Sequence, residues 1–300
     1  MKTKVVLDTT EAVILLKKGE PIVMPTETVY GLAAPLYQPS AIEKVFAIKG
    51  RPRDNPLIVH IAKKGELREL VSSLPDHWER LAEAFWPGPL TLVFPKSERV
   101  PSAVSAGHPT VAVRMPSHPI ARRLIEEVGE PLVAPSANLS GRPSPTCVRD
   151  VLEDLEGRVA LIIDGGESSV GIESTVLSLC GPRPVLLRPG NISQQSLEEV
   201  LGVEIFIASK ETPVHSPGMK YRHYAPRAEI RFVNHPDQLT SSFILSSVPI
   251  LGIQTRPLRE QSLYAELREA DRLNIGVIDV FGLGETSAGL RDRLVRAASK

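Results

Sequence analysis

The chain has 300 residues, 42% of them hydrophobic, which is enough to bury a core in one large domain or two ordinary ones. Its 35 basic residues equal its 35 acidic residues, and this balance excludes an overall basic field that would gather nucleic acid without specificity. The 2 cysteines, Cys147 and Cys180, are far apart, which excludes a disulfide framework and a cysteine zinc site.

No stretch is apolar enough for a signal peptide or a membrane span, so we expect a cytoplasmic protein without membrane partners. Short apolar runs alternate with amphipathic stretches and predict an α/β (α+β) domain with a mixed sheet over residues 1–205. The predicted strands are Pro21–Met24, Leu57–Ile61, Leu90–Phe94, Val111–Val113, Leu132–Ala134, Val159–Ile163, Thr175–Leu179 and Val185–Leu187. The predicted helices are Glu11–Lys18, Ala41–Ile48, Cys147–Leu155 and Leu197–Leu201, with Thr10, Ser40 and Ser196 capping the first, second and last.

A Pro- and Gly-containing stretch, Glu211–Pro226, indicates a linker over residues 206–227. A second, small α/β domain is predicted over residues 228–300. Its predicted strands are Ile230–Val233, Pro249–Ile253 and Ile275–Val280. Its predicted helices are Leu263–Leu273 and Leu290–Ala298.

Familiar nucleotide and metal motifs are absent from the sequence. No G-x-x-x-x-G-K-[ST] occurs, and Gly282–Gly289 has the wrong spacing for a dinucleotide turn. The 7 histidines show no H-x-x-x-H pairing, so we expect no built-in transition metal.

A basic loop after the second predicted helix carries Lys49, Arg51 and Arg53. Prolines after Arg51 and Asn55 favour extended geometry, which would turn all three basic side chains to one side, at a spacing suited to a polyphosphate. The alternative is a solvated charged turn, which is the more common meaning of an isolated K-x-R-x-R pattern.

Three polar stretches have two interpretations each. Ala134–Thr146 offers hydroxyls for ligand recognition, or is a turn that caps the next helix. Pro25–Gly31 places polar groups at the end of a strand, where they face a ligand crevice or form a cap with a buried Tyr30 hydroxyl. Gly165–Thr175 approaches a ligand through its glycines, or forms a hairpin turn.

Taken together, these segments resemble the threonylcarbamoyl-AMP synthase family, also called YrdC-like proteins. The match runs in the family's order over roughly residues 5 to 202, and the tail resembles the longer, two-domain form of the family. The segments that carry it are Pro25–Leu32, Lys49–Pro52, Asn55–His60, Trp86–Thr91, Val113–Pro116, Ala134–Asn138, Leu187–Gly190 and, in the linker, Ser216–Pro226.

The resemblance implies a twisted mixed sheet around a deep, positively lined cavity that holds ATP beside L-threonine, and a small Rossmann-like C-terminal domain. It implies that Lys49 and Arg51 act on the phosphates in catalysis. ATP would be bound by Lys49, Arg51, Asn55, Thr110, Ser136, Asn138, Ser144, Arg188 and Tyr224. L-Threonine would be bound by Thr28, His60, Arg114, Ala134 and Ser174.

The implied activity is that of a nucleotidyltransferase, L-threonylcarbamoyladenylate synthase, acting on L-threonine, bicarbonate or CO₂, and ATP. Mg²⁺ would be held mainly by the ATP phosphates, so no protein ligands for a metal are expected. The product would pass to a tRNA threonylcarbamoyl transferase for a modification next to the anticodon, and weak RNA binding is a further expected interaction. Met219, Tyr221, His223 and Tyr224 of the linker are predicted to form a lid.

Two other functions fit parts of the sequence. A protein that binds double-stranded RNA or ribosomes without catalysis would use a concave basic surface, but the zero net charge argues against it. Carbamoyl transfer, as in hydrogenase-maturation proteins with a YrdC-like module, would come with zinc-finger and acylphosphatase-type regions that this sequence lacks.

Overall fold

The computed structural model of the chain describes residues 2–208 and 224–299. The N-terminal part contains strands β1 (Lys4–Val6), β2 (Ile22–Met24), β3 (Gly31–Pro35), β4 (Ile58–His60), β5 (Leu90–Pro95), β6 (Thr110–Arg114), β7 (Leu132–Val133), β8 (Leu161–Ile163), β9 (Thr175–Ser178), β10 (Val185–Arg188) and β11 (Phe206–Ile207). Its helices are α1 (Thr10–Lys17), α2 (Pro39–Lys49), α3 (Leu67–Leu70), α4 (Trp78–Phe85), α5 (Ser102–Ser105), α6 (Pro119–Val128), α7 (Val148–Leu155) and α8 (Gln194–Leu201).

These strands form one large mixed sheet, in the order β1-β8-β2-β3-β7-β4-β6-β5-β9-β10-β11 within the described residues. β4 lies parallel to β6 and antiparallel to β7, while β5 is antiparallel to β6 and parallel to β9. Buried apolar residues of α2 pack on one face of the sheet, and those of α1 and α6 pack on the other. The predicted mixed-sheet fold class is therefore confirmed.

The C-terminal part contains β12 (Glu229–Val233), β13 (Ile244–Ser246), β14 (Arg256–Pro257), β15 (Val277–Phe281), α9 (Leu263–Arg272) and α10 (Ala288–Ala298). All strand pairs in its sheet are parallel, in the order β12-β15-β13-β14 among the residues from 224 to 299. Apolar residues of both helices pack against this sheet, as expected for a small Rossmann-like domain.

The predicted strand at Pro249–Ile253 is wrong. The strand of this region is β13, five residues earlier, where three successive buried residues pair with β15. Gly252 has a φ of +75° and Leu251 is fully exposed, so the apolar run at 249–253 belongs to a turn on the surface.

Several helices begin earlier than predicted. The residues at the N-caps of α1, α2 and α8 are Thr9, Gln38 and Ser193, rather than Thr10, Ser40 and Ser196. Pro39 occupies the first turn of α2, where its missing N–H costs nothing. α2 ends at Gly50, which adopts the left-handed conformation and turns the chain so that Arg51 leaves the helix direction.

The sheet contains strands that the sequence pattern did not predict. β3 consists of small and apolar residues without β-branched side chains, and it forms because all of its positions are buried between β2 and β7. β11 pairs with β10, so the large sheet includes Phe206 and Ile207, just beyond the predicted boundary at 205. Among the described helices, none is both long and apolar enough to cross a membrane.

Candidate functional site

A cavity opens beside the sheet where β4, β6, β7, β9 and β10 end or begin. It is partly open, and the space between its walls amounts to about 560 Å³ when the adjoining open solvent is included. Its wall is formed by Thr28, Val29, Arg51, Pro56, Leu57, Ile58, His60, Arg114, Ala134, Pro135, Ser136, Glu173, Ser174, Arg188 and Tyr224.

Two arginines give the cavity its positive charge. Arg51 donates from Nε to the Asn55 carbonyl at 3.2 Å and from Nη2 to the Pro56 carbonyl at 2.8 Å. Arg188 donates to the carbonyl and hydroxyl oxygens of Ser174 at 3.0 to 3.2 Å. Burial lowers the pKa of both, and the neighbouring Arg188 charge contributes to lowering that of Arg51 to about 10, so both are cationic at neutral pH. This pair is suited to an anion such as a phosphate.

Arg114 lies at another part of the wall and contacts a carboxylate. Its Nη2 is 2.6 Å from Oε1 of Glu27, an ionic contact without hydrogen-bond alignment, and its Nη1 donates to the Thr28 hydroxyl at 2.8 Å. Burial opposes ionisation of Glu27, but Arg114 outweighs it and holds the pKa of that carboxyl below its ordinary value. The Arg114 charge is therefore partly balanced by Glu27.

His60 is neutral in this cavity. Burial, with the Arg114 charge nearby, lowers its pKa to about 3. Its Nδ1 is 3.2 Å from the Ile58 carbonyl, and in the tautomer that donates this bond, Nε2 is an acceptor. The hydroxyl of Ser174 bonds with that of Thr91 at 2.7 Å, which fixes a further polar group of the wall.

Lys49 holds the Ser136–Asn138 loop through hydrogen bonds to its backbone. The buried ammonium of Lys49 donates to the backbone carbonyls of Ser136 and of Asn138. Burial, with the Arg51 charge nearby, lowers the pKa of Lys49 well below its ordinary value. Lys49 is not among the described residues that line the cavity. The contacts of Lys49 are thus those of a residue that positions the loop; an ammonium has three donors, so these two bonds do not use it up.

Two buried amides beside the cavity each have one atom without a hydrogen-bond partner within the described part of the chain. They are Nδ2 of Asn55 and Oδ1 of Asn138. Buried polar groups are nearly always satisfied, so these two atoms are natural ligand-binding positions.

Most predicted site residues are brought together. The residues on the wall are Thr28, Arg51, His60, Arg114, Ala134, Ser136, Ser174, Arg188 and Tyr224. Those beside it are Lys49 and Asn138, joined to Ser136, Asn55, joined to Arg51, and Ser144, joined to Glu173. Thr110, at the start of β6, instead lines a separate small recess behind Pro56 and Leu57.

The predicted one-sided arrangement of Lys49, Arg51 and Arg53 is wrong. Lys49 still belongs to α2, and Gly50 interrupts the alternation that an extended chain would have. The Arg53 side chain is 75% exposed and pairs with Glu43 on α2, away from the cavity. Only Arg51 of the three lines the cavity.

Two of the three glycines in the 165–175 stretch, Gly165 and Gly171, are at close packing contacts. A Cβ at Gly171 would lie 2.4 Å from the Gln261 backbone of the C-terminal domain, and one at Gly165 would meet Pro25. The residues of this stretch that line the cavity are Glu173 and Ser174. Sequence reasoning missed Glu173, because two of the three side chains that bond its carboxylate, Tyr264 and Arg293, lie in the C-terminal domain, 91 and 120 residues away.

Tyr224, from the predicted linker, lines the cavity and has a φ of +65°. The other predicted lid residues, Met219, Tyr221 and His223, lie outside the described residues. The wall does not fit a resident metal ion. Both oxygens of Glu173 already accept bonds, and no three His, Cys, Asp or Glu residues between 2 and 208 or 224 and 299 form a metal-binding group.

Family models match nearly the whole chain. A model described as "Telomere recombination" matches residues 14–190, and one described as "Threonylcarbamoyl-AMP synthase, C-terminal domain" matches residues 192–299. A threonylcarbamoyl-AMP synthase of Pyrococcus abyssi is 43% identical over 302 residues, covering 92% of this chain and 88% of that protein. One from Schizosaccharomyces pombe is 37% identical over 354 residues, covering 95% and 86%.

Solved structures agree with these matches. The crystal structure of P. abyssi Sua5 complexed with L-threonine superposes with a TM-score of 0.90 at 40% identity, covering 99% of this chain and 98% of that one. The structure of E. coli YciO superposes with a TM-score of 0.57 at 25% identity, covering 65% of this chain and 98% of that one.

Proposed function

Because the chain belongs to the threonylcarbamoyl-AMP synthase family, we propose that its cavity is where L-threonine, bicarbonate or CO₂, and ATP combine into threonylcarbamoyl-AMP. The chain is thus an enzyme of the nucleotidyltransferase class, and threonine is its amino-acid substrate. The observation that carries the location is the pair of Arg51, which is partly buried, and Arg188, which is buried; the pair shares one cavity with the polar groups of Thr28, His60 and Ser174.

ATP lies with its phosphates against Arg51 and Arg188. Arg51 donates to the carbonyls of Asn55 and Pro56, and Arg188 donates to the carbonyl and hydroxyl of Ser174, so both guanidinium groups are fixed on the cavity wall. Charged hydrogen bonds from such groups to phosphate are strong. The Asn55 and Asn138 amides, with their unpartnered atoms, supply a donor and an acceptor to the nucleotide. Ser136, Ser144 and Tyr224 complete this side, and Lys49 supports it through the loop carbonyls.

L-Threonine lies at the Arg114 side. Its carboxylate meets Arg114, although Glu27 already takes part of that charge, and its amine and hydroxyl meet acceptors among the Ala134 carbonyl, the Ser174 hydroxyl and neutral His60. A neutral imidazole serves here as an acceptor without repelling the ammonium of the free amino acid.

The reaction requires positioning more than a protein nucleophile. The threonine ammonium gives up one proton to solvent, and the resulting amine nitrogen forms a bond to the carbon of CO₂. Loss of a second proton from nitrogen to solvent yields the carbamate. A carbamate oxygen then attacks the α-phosphorus, and the bond to pyrophosphate breaks. In-line displacement at phosphorus depends on alignment and charge neutralisation, which the two arginines of the cavity wall can provide.

Mg²⁺ is proposed to enter with ATP, held by the phosphate oxygens rather than by the protein, since the cavity wall does not fit it. Threonylcarbamoyl-AMP is a mixed anhydride and must be consumed by a group transfer. We assign this step to a tRNA threonylcarbamoyl transferase. Weak RNA binding by the chain would bring the product close to the tRNA that this transferase modifies.

The test is pyrophosphate release from ATP and Mg²⁺, with L-threonine and bicarbonate added together, omitted singly and omitted together. Release that requires both co-substrates, with a product of the mass of threonylcarbamoyl-AMP, is expected. Release that is indifferent to threonine, from folded protein, would contradict the proposal. RNA binding that falls steeply with salt and needs no threonine would then favour the non-catalytic alternative.

A further inference from the structure

Three groups from different parts of the chain converge on the Glu173 carboxylate in the cavity wall. The Ser144 hydroxyl donates to Oε1 at 2.5 Å. Tyr264 of α9 donates to Oε2 at 2.8 Å, and Arg293 of α10 donates from Nε to the same oxygen at 2.7 Å. The C-terminal domain thus supplies two of the three groups that hold a residue of the candidate active site.

Arg293 also donates to two backbone carbonyls of the segments that carry Ser174 and Arg188. Its Nη2 donates to the Glu173 carbonyl at 3.1 Å, and its Nη1 donates to the Pro189 carbonyl at 2.9 Å. Glu173 directly precedes Ser174, and Pro189 directly follows Arg188, so one guanidinium group fixes the neighbours of two cavity-lining residues. Arg188 in turn donates to Ser174, which links both positions.

These groups are shielded from solvent. The side chains of Tyr264 and Arg293 are fully buried, and Tyr224 of the cavity wall lies against both, with its ring 5.5 Å from the Tyr264 ring and 5.5 Å from the Arg293 guanidinium carbon. Burial opposes ionisation of Glu173, but the Arg293 and Arg188 charges outweigh it and hold the pKa of that carboxyl below its ordinary value. Glu173 is therefore an anion, and its orientation depends on donors from the C-terminal domain.

We infer that Tyr264 and Arg293 are positioning residues for the reaction, which hold Glu173 and through it set Ser144, Ser174 and Arg188 for substrate binding. The inference rests on the proposed function. It gives the C-terminal domain a part in building the active site, in addition to its packing against the first domain.

The interface offers a matched control in Arg272. This arginine also lies on α9 and pairs across the interface with Asp150 and Glu153 of α7. Neither it nor its partners line the cavity. Replacing Arg272 should therefore weaken the interface without changing the contacts of the cavity wall. The variant shows how much activity is lost when the C-terminal domain acts only through stability.

The experiment compares Tyr264→Phe, Arg293→Lys and Arg272→Met in the full-length chain, with KM for ATP and threonine, kcat and the melting temperature measured for each. Tyr264→Phe removes one hydrogen bond to a charged group and leaves the packing intact. We expect its kcat/KM to fall about 10-fold, the usual value of such a bond, while Arg272→Met stays within about twofold of native. Arg293→Lys keeps the charge but loses the fork, so its activity should fall while its pH profile stays native.

A further variant, Arg293→Met, tests the charge. Without the cation, the pKa of Glu173 should rise, so the acid limb of the pH–rate profile should move to higher pH than in Arg293→Lys. The inference is wrong if Tyr264→Phe and Arg293→Lys keep the native kcat/KM, as Arg272→Met is expected to do, or if they lose it only in proportion to a lowered melting temperature.

A native chain without threonine-dependent pyrophosphate release would contradict the proposed function instead. In that case the inference about Tyr264 and Arg293 is tested by measuring the equilibrium ATP affinity of the same variants. Weaker ATP binding by Tyr264→Phe than by Arg272→Met supports it, and equal affinities overturn it.

Discussion

Two sets of arginines, one in the cavity wall and one at the interface of the two domains, differ in the groups to which they are bonded. The cavity arginines, Arg51 and Arg188, donate to carbonyl and hydroxyl oxygens, and burial lowers the pKa of both. The interface arginines, Arg268 and Arg293, pair with the carboxylates of Asp154 and Glu173 across the two domains. The hydrogen bonds of the first set orient a cation on the cavity wall, whereas the ion pairs of the second set join the two domains.

The comparison predicts its largest effect on stability for Arg268→Met. Arg268 is fully buried and bonds both Asp154 and the Pro143 carbonyl, so its removal leaves a buried carboxylate with less compensation. We expect the free energy of unfolding to fall by about 3 kcal/mol in denaturant titrations. Arg272→Met should cost less than Arg268→Met, because the Arg272 side chain is 20% exposed and water screens its ion pairs. Equal losses would show that burial and pairing do not separate these two arginines.

The next effect is on activity. Arg51→Ala should lower kcat/KM for ATP about 100-fold, as expected when a charged donor to a phosphoryl group is lost, with a much smaller effect on the melting temperature. Arg53→Ala is the control, because that arginine is two residues away but exposed and paired with Glu43. Similar kinetics in the two variants would contradict the assignment of charge to the cavity.

A third prediction concerns pH. The unfolded chain protonates His60 near pH 6.5, whereas in the folded chain its pKa is about 3. Between these values the unfolded state binds more protons, so acidification below about 6.5 favours unfolding, and stability is recovered as the pH rises. In His60→Gln, the free energy of unfolding should change less steeply between pH 6.5 and 4. An unchanged slope would mean that His60 is not held neutral.

The smallest effect is expected for the buried hydroxyl of Tyr30, whose hydrogen bonds involve neither set of arginines. Tyr30 donates to the Gly166 carbonyl at 2.7 Å and accepts from the Gly165 N–H at 3.1 Å. Tyr30→Phe should therefore lower the free energy of unfolding by about 1 kcal/mol and leave the KM for ATP native. A raised KM would instead place this hydroxyl in ligand binding.

Local pattern was sufficient for much of the fold. The apolar runs at β4, β5, β6 and β10 predicted strands whose bounds lie within one residue of those in the structure, because their side chains are buried as the pattern requires. β3 was missed because its small residues have little preference for strands, and only its neighbours on both sides make it one. The 249–253 run was misassigned because its composition does not distinguish a surface turn from a buried strand.

The candidate site shows the same limit. Arg51, His60, Arg114 and Ser174 were identified by resemblance, and the structure brings them to one wall. The loop-positioning contacts of Lys49 were not predicted, since its acceptors are carbonyls 87 and 89 residues away. Pairings such as Glu173 with Arg293 depend on how the two domains meet, which no local spacing encodes.

The most direct test of the account is equilibrium ATP binding, measured by calorimetry for the native chain, Arg51→Gln and Arg53→Gln. The account predicts that Arg51→Gln binds ATP at least about 10-fold more weakly than the native chain, because a charge-assisted hydrogen bond is lost, while Arg53→Gln binds it as the native chain does. Equal ATP affinities for the two variants would contradict the claim that the arginines of the cavity wall bind the triphosphate.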